Sequence, residues 1–341
     1  MSSLYYRPIP SIDPARPSDA LTLAGGWAWF SQVEVLSRAA PSRLIPATEL
    51  PEEVKTRLTA PRAPLAGMDF ARPNLMGILN VTPDSFSDGG MFDAPDAARV
   101  RAQVMMAEGA DILDIGGEST RPGADYIAPE LEITRTAPVI AAIRAGSTVP
   151  MSIDTRKAAV AAAALAAGAD LINDVYAFCH DPELANVAAQ SGAPVCLMHA
   201  QGDPEVMQEH PEYQNVLLDV YDFLAARIAV AEAAGISRTQ ILVDPGIGFG
   251  KTQAHNLALL QRISLFHALG CGVLLGVSRK GFIGRIGNAP EARDRAPGSI
   301  AVALAAVAQG IQVLRVHDIK ETKQALALWQ AVSGEGGQHD A

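Results

Sequence analysis

The 341-residue chain has only three cysteines, Cys179, Cys196 and Cys271. They are far apart and odd in number, and no Cys-x-x-Cys or Cys/His zinc spacing accompanies them. This argues against both a disulfide framework and a structural zinc site. The expectation is three buried thiols in a reducing compartment. Aromatics are scarce, at 5% of residues, while alanine and glycine are plentiful. That balance suits helices packed closely on a parallel sheet. There is no excess of positive charge either. The net charge of −10 disfavours a general nucleic-acid or anionic-membrane surface, although a few local cations can still hold a small anion. No apolar run approaches the length that spans a bilayer. The segment Ala20–Phe30 follows Arg7, Asp13, Arg16 and Asp19 and lacks the basic start and long apolar centre of a signal peptide. A cytoplasmic protein is expected.

What the chain does have is a series of apolar, strand-like runs that finish on polar residues. The runs are Leu75–Val81, Asp111–Gly117, Pro150–Thr155, Asp170–Val175, Pro194–Ala200, Ile241–Gly246, Val273–Lys280 and Val313–Ile319. At their carboxyl ends stand Asn80, Glu118, Asp154, Asn173, His199, Asp244, Lys280 and the pair Arg315/His317. Helical segments alternate with them: Ala94–Gly109, Pro129–Ala145, Lys157–Gly168, Asp181–Gly192, Glu212–Gly235, His255–Gly270, Pro297–Gly310 and Lys320–Val332. Several close on a glycine that leads directly into the next strand, as at Gly109-Ala110, Gly168-Ala169, Gly192-Ala193 and Gly310-Ile311. Such helix–Gly–strand junctions mark βα units. Eight units with no hairpin signal between them predict an all-parallel sheet closed into a barrel, with an active site at the rim where the polar residues gather.

Residues 1–62 read differently. Pro8, Pro10, Pro14 and Pro17 prevent an early helix. Gly25–Arg38 fits a short strand or helix, and Glu49–Leu58 one helix. The segment is expected to be an N-terminal extension lying on the barrel. The barrel domain is expected over 63–334, with 335–341 as a tail. Leu65–Pro73 alternates around Gly67 and predicts a small hairpin that closes the barrel bottom.

Two tempting motifs fail. Gly246–Thr252 reads GIGFGKT, but a P-loop needs glycine at position 245, where proline stands. Lys251 also occupies the place of a small residue in a dinucleotide fingerprint. Other segments carry more. The loop NVTPDSFSDGG (Asn80–Gly90) is polar except for Phe86, an aromatic able to close over a ligand. Asn80, at the strand end, can ligate a hard cation or a phosphate oxygen. In GGESTRPGA (Gly116–Ala124), Arg121 offers a planar fork for carboxylate or phosphate. Asp154, Asn173, Asp244 and Lys280 end four different strands. Together they offer acceptors for the amino and N–H donors of a ring and a donor for its carbonyl or ring nitrogen, which fits a flat heterocycle with an amidine-like edge. Arg315 and His317 share one face of strand eight, in the region where such barrels hold phosphate. With Asn80 on the neighbouring first strand, they can hold a diphosphate with a divalent cation.

MGILNVTPDSFSDGG (Met76–Gly90), GESTRPGA (Gly117–Ala124), SIDT (Ser152–Thr155), INDV (Ile172–Val175), LMHAQGDP (Leu197–Pro204), DPGIGFGK (Asp244–Lys251), SRKGFIG (Ser278–Gly284) and RVHD (Arg315–Asp318) resemble the dihydropteroate synthase family over roughly residues 65–333. The resemblance implies a (β/α)8 TIM barrel and folate biosynthesis, with Mg2+-assisted transfer from 6-hydroxymethyl-7,8-dihydropterin diphosphate to 4-aminobenzoate. It implies that Thr120, Asp154, Asn173, Asp244 and Lys280 bind the pterin. Asn80, Arg315 and His317 would take the diphosphate, with Asn80 also reaching Mg2+. Phe86, Arg121, Pro122 and Gly281 would wall the aminobenzoate pocket. Asp88 would organise Mg2+ and the closed first loop, and Asp88, Arg121 and Lys280 would act on the reaction itself. A homodimer through late barrel helices is implied as well. One position departs from the pattern: many members carry a serine after Ser-Arg-Lys, thought to meet the aminobenzoate carboxylate, where this chain has Gly281. Two other readings stay open from these residues, a pterin-site methyltransferase and a pterin-binding paralogue without catalysis.

Overall fold

The computed structural model describes residues 4–81, 94–119, 126–202 and 211–333. The chain opens with five short strands, β1 (Leu4–Pro8), β2 (Leu21–Thr22), β3 (Trp29–Phe30), β4 (Gln32–Ser37) and β5 (Arg43–Pro46), then helix α1 (Glu52–Thr59). The barrel follows: β6 (Asn74–Asn80), α2 (Ala94–Ala107), β7 (Ile112–Gly116), α3 (Pro129–Arg144), β8 (Met151–Asp154), α4 (Ala158–Ala167), β9 (Leu171–Asp174) and α5 (Glu183–Ser191). It continues through β10 (Val195–Met198), α6 (Val216–Ala233), β11 (Ile241–Asp244), α7 (Gln253–Gln261), β12 (Gly272–Gly276), α8 (Gly281–Ile286), α9 (Ala296–Val307), β13 (Val313–Val316) and α10 (Ile319–Val332).

Strands β6 to β13 pair in parallel and close into a barrel. They coincide with the eight expected runs. Side chains alternate between the barrel interior and the surrounding helices. At the lower end the interior is apolar: Met76, Ile112, Leu171, Cys196, Leu242, Leu274 and Val313 form one buried cluster with Leu65, Met68 and Phe70. The expected closure at Leu65–Pro73 is present as a two-residue bridge in which the Leu65 and Met68 backbones exchange hydrogen bonds of 3.1 and 2.9 Å. It seals the barrel floor. The outward-facing residues pack under the helices in a second, larger core that includes Leu113, Ile115, Ile153 and Val243.

Strands β1, β4 and β5 make an antiparallel sheet, with β2 and β3 paired beside it. The expected choice between strand and helix at Gly25–Arg38 resolves as strand. Phe30, Val33, Val35, Ile45, Leu50 and Leu58 give this layer a core of its own, continuous with Ala268 of the barrel. Polar contacts tie it down. Tyr5 donates to Asp222 at 2.8 Å, Trp27 to the Val307 carbonyl at 2.9 Å, and Ser264 to the Pro8 carbonyl at 2.9 Å. The Arg62 guanidinium reaches four carbonyls, those of Arg57, Ala60, His267 and Cys271, at 2.8–3.1 Å.

Two expectations need correction. The helix foreseen over 255–270 is α7 followed by a 3-10 segment, Ile263–Leu269, because Arg262 leaves helical geometry at φ −130° and ψ 27°. Cys179 is exposed; Cys196 and Cys271 are buried. The Asp174 carboxylate accepts the backbone N–H of Tyr176 and Phe178, which curls that loop inward and turns the chain out to solvent just after it.

Candidate active site

Strand register assembles the upper rim. Asn80 pairs with Gly116, Gly116 with Asp154, and Asp154 with Asn173, so these four stand side by side in one layer. Met198 is level with Asp244, and Gly276 with Arg315, on the far side of the barrel. The two glycines leave the mouth open. A Cβ on Gly116 would lie 3.5 Å from the Asp154 Cβ and 3.6 Å from Asn80 Oδ1, and one on Gly276 would lie 3.8 Å from Asp244 Oδ2.

Arg315 is the centre of this layer. Its Nε donates to Asp114 Oδ2 at 2.5 Å and its Nη2 to Asp154 Oδ2 at 2.7 Å. Asn173 Nδ2 also donates to Asp114 Oδ2, at 3.2 Å. The second oxygens, Asp114 Oδ1 and Asp154 Oδ1, are buried without a hydrogen-bond partner. Buried acceptors left in this state await donors from a ligand. Burial pushes the Asp154 pKa up, Arg315 draws it back and Asp114 pushes it further, with a net rise. The two carboxylates hold the Arg315 guanidinium charged against the cost of burial. Asp244 accepts the Gly246 N–H at 2.7 Å, yet burial still lifts its carboxyl to about 6.

Lys280 precedes α8 and places its ammonium 4.2 Å from the centre of the Phe249 ring. His317 Nδ1 lies 2.9 Å from Ser278 Oγ, which also accepts the His317 N–H at 3.1 Å. Beside it, Arg279 is paired with Asp318. His199 faces away from the mouth, as the residue after inward-facing Met198 must. It packs edge-on to Phe223 at 4.7 Å, with Lys251 Nζ 2.8 Å from its Nδ1. Glu118 does not enter the layer either. It pairs with Arg156 and Lys157, and Lys157 also pairs with buried Glu132 at 2.7 Å. Burial opposes the ionised form of Glu118, but bonds from Arg156 and Lys157 prevail and lower its pKa.

The structure therefore brings Asn80, Asp154, Asn173, Asp244 and Arg315 to one mouth, with Lys280, Gly281 and His317 on the segments that leave β12 and β13. Phe86, Asp88, Thr120, Arg121 and Pro122 lie outside the described residues. Sequence reasoning missed Asp114, which sits in mid-strand. Its signal was present: an aspartate between Leu113 and Ile115, two residues from Gly116 and hence on the same inner face. The assembled layer can hold a flat ring that offers adjacent N–H donors to carboxylates and an amide, next to a fixed guanidinium for an anion.

A family model described as "Pterin binding enzyme" matches residues 76–317. The dihydropteroate synthase of Neisseria meningitidis serogroup B is 48% identical over 271 residues, covering 78% of this chain and 94% of the relative. Among solved structures, the Xanthomonas albilineans dihydropteroate synthase with 4-aminobenzoic acid is similar at TM-score 0.73 and 46% identity, over 77% of this chain and 94% of that one. The Yersinia pestis enzyme with a sulfonamide drug is similar at TM-score 0.74 and 45% identity, over 78% and 96%. A closed barrel whose inner rim carries this acceptor set is that of a pterin-binding enzyme. Within that class, the chain belongs to the dihydropteroate synthase family.

Proposed function

We propose that this chain joins 6-hydroxymethyl-7,8-dihydropterin diphosphate to 4-aminobenzoate, forming 7,8-dihydropteroate and releasing pyrophosphate in folate biosynthesis. It is a transferase of a non-methyl alkyl group. The observation that carries the reading is the layer Asp114–Arg315–Asp154, with Asn173 bonded into it and two carboxylate oxygens unpartnered. Such oxygens match the amino and N–H donors along one edge of a pterin. Asp154, Asn173, Asp244 and Lys280 hold the ring, with Thr120 beside them. Arg315, His317 and Asn80 take the diphosphate.

The donors of the mouth also fit Mg2+. Asn80 offers an amide oxygen at the rim, and no cluster of three or more His, Cys, Asp or Glu forms a metal cage among the described residues. Mg2+ characteristically takes few protein oxygens, keeps waters and completes its shell with substrate phosphates. When bound, it would neutralise charge on the diphosphate. The chain's own residues do the rest. Arg315, fixed by two carboxylates, and His317, held by Ser278, stabilise the charge that builds on departing pyrophosphate. The electron-rich dihydropterin supports the methylene as a cation, so departure precedes attack. The aniline nitrogen of 4-aminobenzoate, neutral at pH 7, then attacks and loses its proton. Orientation and exclusion of water matter most, because water would consume the cation. Phe86, Asp88, Arg121, Pro122 and Gly281 belong to this reading as the walls and closure of the aminobenzoate side.

The same reading makes residues 1–62 an extension, 63–334 the catalytic barrel and 335–341 a tail. It includes a cytoplasmic setting and a homodimer through late barrel helices. No described helix is long and apolar enough to cross a membrane.

The deciding experiment measures pyrophosphate release from the pterin diphosphate and Mg2+, with and without 4-aminobenzoate. Release that depends on aminobenzoate and yields dihydropteroate is expected. Binding of the pterin diphosphate with no condensation would replace the synthase with the non-catalytic paralogue.

A further inference from the structure

Lys251 is a buried lysine whose charged form is favoured by the Asp244 carboxylate and opposed by Lys280 and by burial. Its residue is 2% exposed, and it makes no ion pair among the described residues. Burial draws its pKa down to about 7. By contrast, the other deeply buried lysine, Lys157, is met by two glutamates. A buried ammonium with no ion pair among the described residues is costly, so its retention asks for a reason. What Lys251 does is hold two loops together. Its Nζ donates to the Phe249 carbonyl at 3.0 Å and the His199 carbonyl at 3.4 Å, and lies 2.8 Å from His199 Nδ1. Those contacts join the loop after β10 to the loop after β11.

The loops approach so closely that a side chain is excluded from either glycine of the crossing. A Cβ on Gly246 would lie 1.9 Å from the His199 carbonyl oxygen, and one on Gly250 would lie 2.3 Å from that of Gln201; both glycines have φ near +60 to +67°. The other end of the Phe249 residue faces the site. Its ring carries the Lys280 ammonium at 4.2 Å, and a Cβ on Gly248 would touch the Lys280 Cδ at 3.3 Å. The turn that Lys251 holds from below is therefore the surface on which Lys280 rests.

We propose that Lys251 is a positioning residue for the transfer reaction, acting through the Phe249 turn to set Lys280 against the pterin rather than by touching substrate. The inference rests on the synthase reading above. His199 supplies the acceptor that completes the ammonium's shell, and its neighbours Phe223 and Tyr213 fix its ring.

The test is a double-mutant cycle in the full chain, combining Lys251→Met with Phe249→Leu. Steady-state constants are measured for both substrates. Lys251→Met alone is expected to raise KM for the pterin diphosphate about tenfold, a coupling within the range of residues in contact, with KM for 4-aminobenzoate within about twofold. In the Phe249→Leu background the same change is expected to add less than about twofold, since its route is already broken. Lys251→Arg, which returns donors and charge, is expected to recover most of the loss. If the methionine variant does not fold, the cycle is run with Lys251→Gln, and the same outcomes decide. An unchanged pterin KM, equal losses for both substrates, or full additivity with Phe249→Leu would overturn the role. Absence of turnover in the unmutated chain would instead overturn the synthase reading, so the two failures are distinct.

Discussion

The same eight strands build two opposite ends. Two residues along each strand, about 7 Å, separate a layer of Met76, Ile112, Leu171, Cys196, Leu242, Leu274 and Val313 from the layers that hold Asp114, Asp154, Asn173, Asp244 and Arg315. The floor is sealed by Leu65, Met68 and Phe70. The mouth contains two inward glycines, a guanidinium shared by two carboxylates and two carboxylate oxygens without partners. The mouth stores desolvation cost that a ligand would relieve.

If that contrast is right, a floor mutation costs stability alone, whereas a mouth mutation costs activity as well. The largest effect is expected at the mouth. Arg315→Met leaves two buried carboxylates without their cation. Steady-state kinetics should show kcat/KM down by roughly a thousandfold, and denaturant unfolding should show a loss of about 3–5 kcal/mol, as for breaking a buried ion pair from one side. At the floor, Phe70→Ala is expected to cost about 3–5 kcal/mol in the same unfolding experiment. Its kcat and KM, measured where the variant is still folded, should stay within about twofold of the unmutated chain. A floor variant that lost catalysis at full folding would dissolve the distinction.

Asp244 sharpens it through pH. Burial lifts its carboxyl to about 6 from an ordinary 3.8. A group raised on folding stabilises the empty protein below the lower value, and that stability is lost as pH rises through the higher one. At pH 7.5 the empty protein thus carries a penalty of about 2–3 kcal/mol at this one residue. Ring donors need the ionised carboxylate, so pterin binding has the opposite slope. Calorimetric titration should find affinity rising about tenfold between pH 5 and 7.5. Asp244→Asn should stabilise the empty protein at pH 7.5, weaken pterin binding there and flatten the slope. An equal slope in the asparagine variant would assign the titration elsewhere.

Much of this was legible in the sequence. Apolar runs with polar ends located the strands and put Asn80, Asp154, Asn173, Asp244 and Arg315 at the rim; the same rule also nominated Glu118 and His199, which pair and pack away from the mouth. Asp114 escaped because attention to strand ends passes over a charged residue in mid-strand. Lys251 escaped because its significance lies in a contact with His199, 52 residues away. The extension was unreadable for another reason. Its strands are two to six residues long, and Leu4 finds its partner only at Ser37. Pairing of that kind leaves no local period.

The smallest effect is expected at the departure from the family pattern. Gly281 is exposed, at the first position of α8, and its backbone needs no glycine. A Cβ there would meet only Arg285 Nη1, at 3.4 Å, the far end of a flexible side chain. Gly281→Ser therefore adds a hydroxyl without a steric penalty. It also trades the entropic cost of an ordered glycine for a slightly better helix former, a change of a few tenths of a kcal/mol. If the aminobenzoate carboxylate lies against this position, one neutral-to-charged hydrogen bond should lower its KM by about three- to tenfold. KM for the pterin diphosphate should not move, because on the proposed reading that substrate is held at the mouth and not by α8. Sulfonamide inhibition should strengthen in parallel with aminobenzoate. A serine variant with unchanged aminobenzoate KM would place the carboxylate elsewhere, and would move the search for its partner to Arg121.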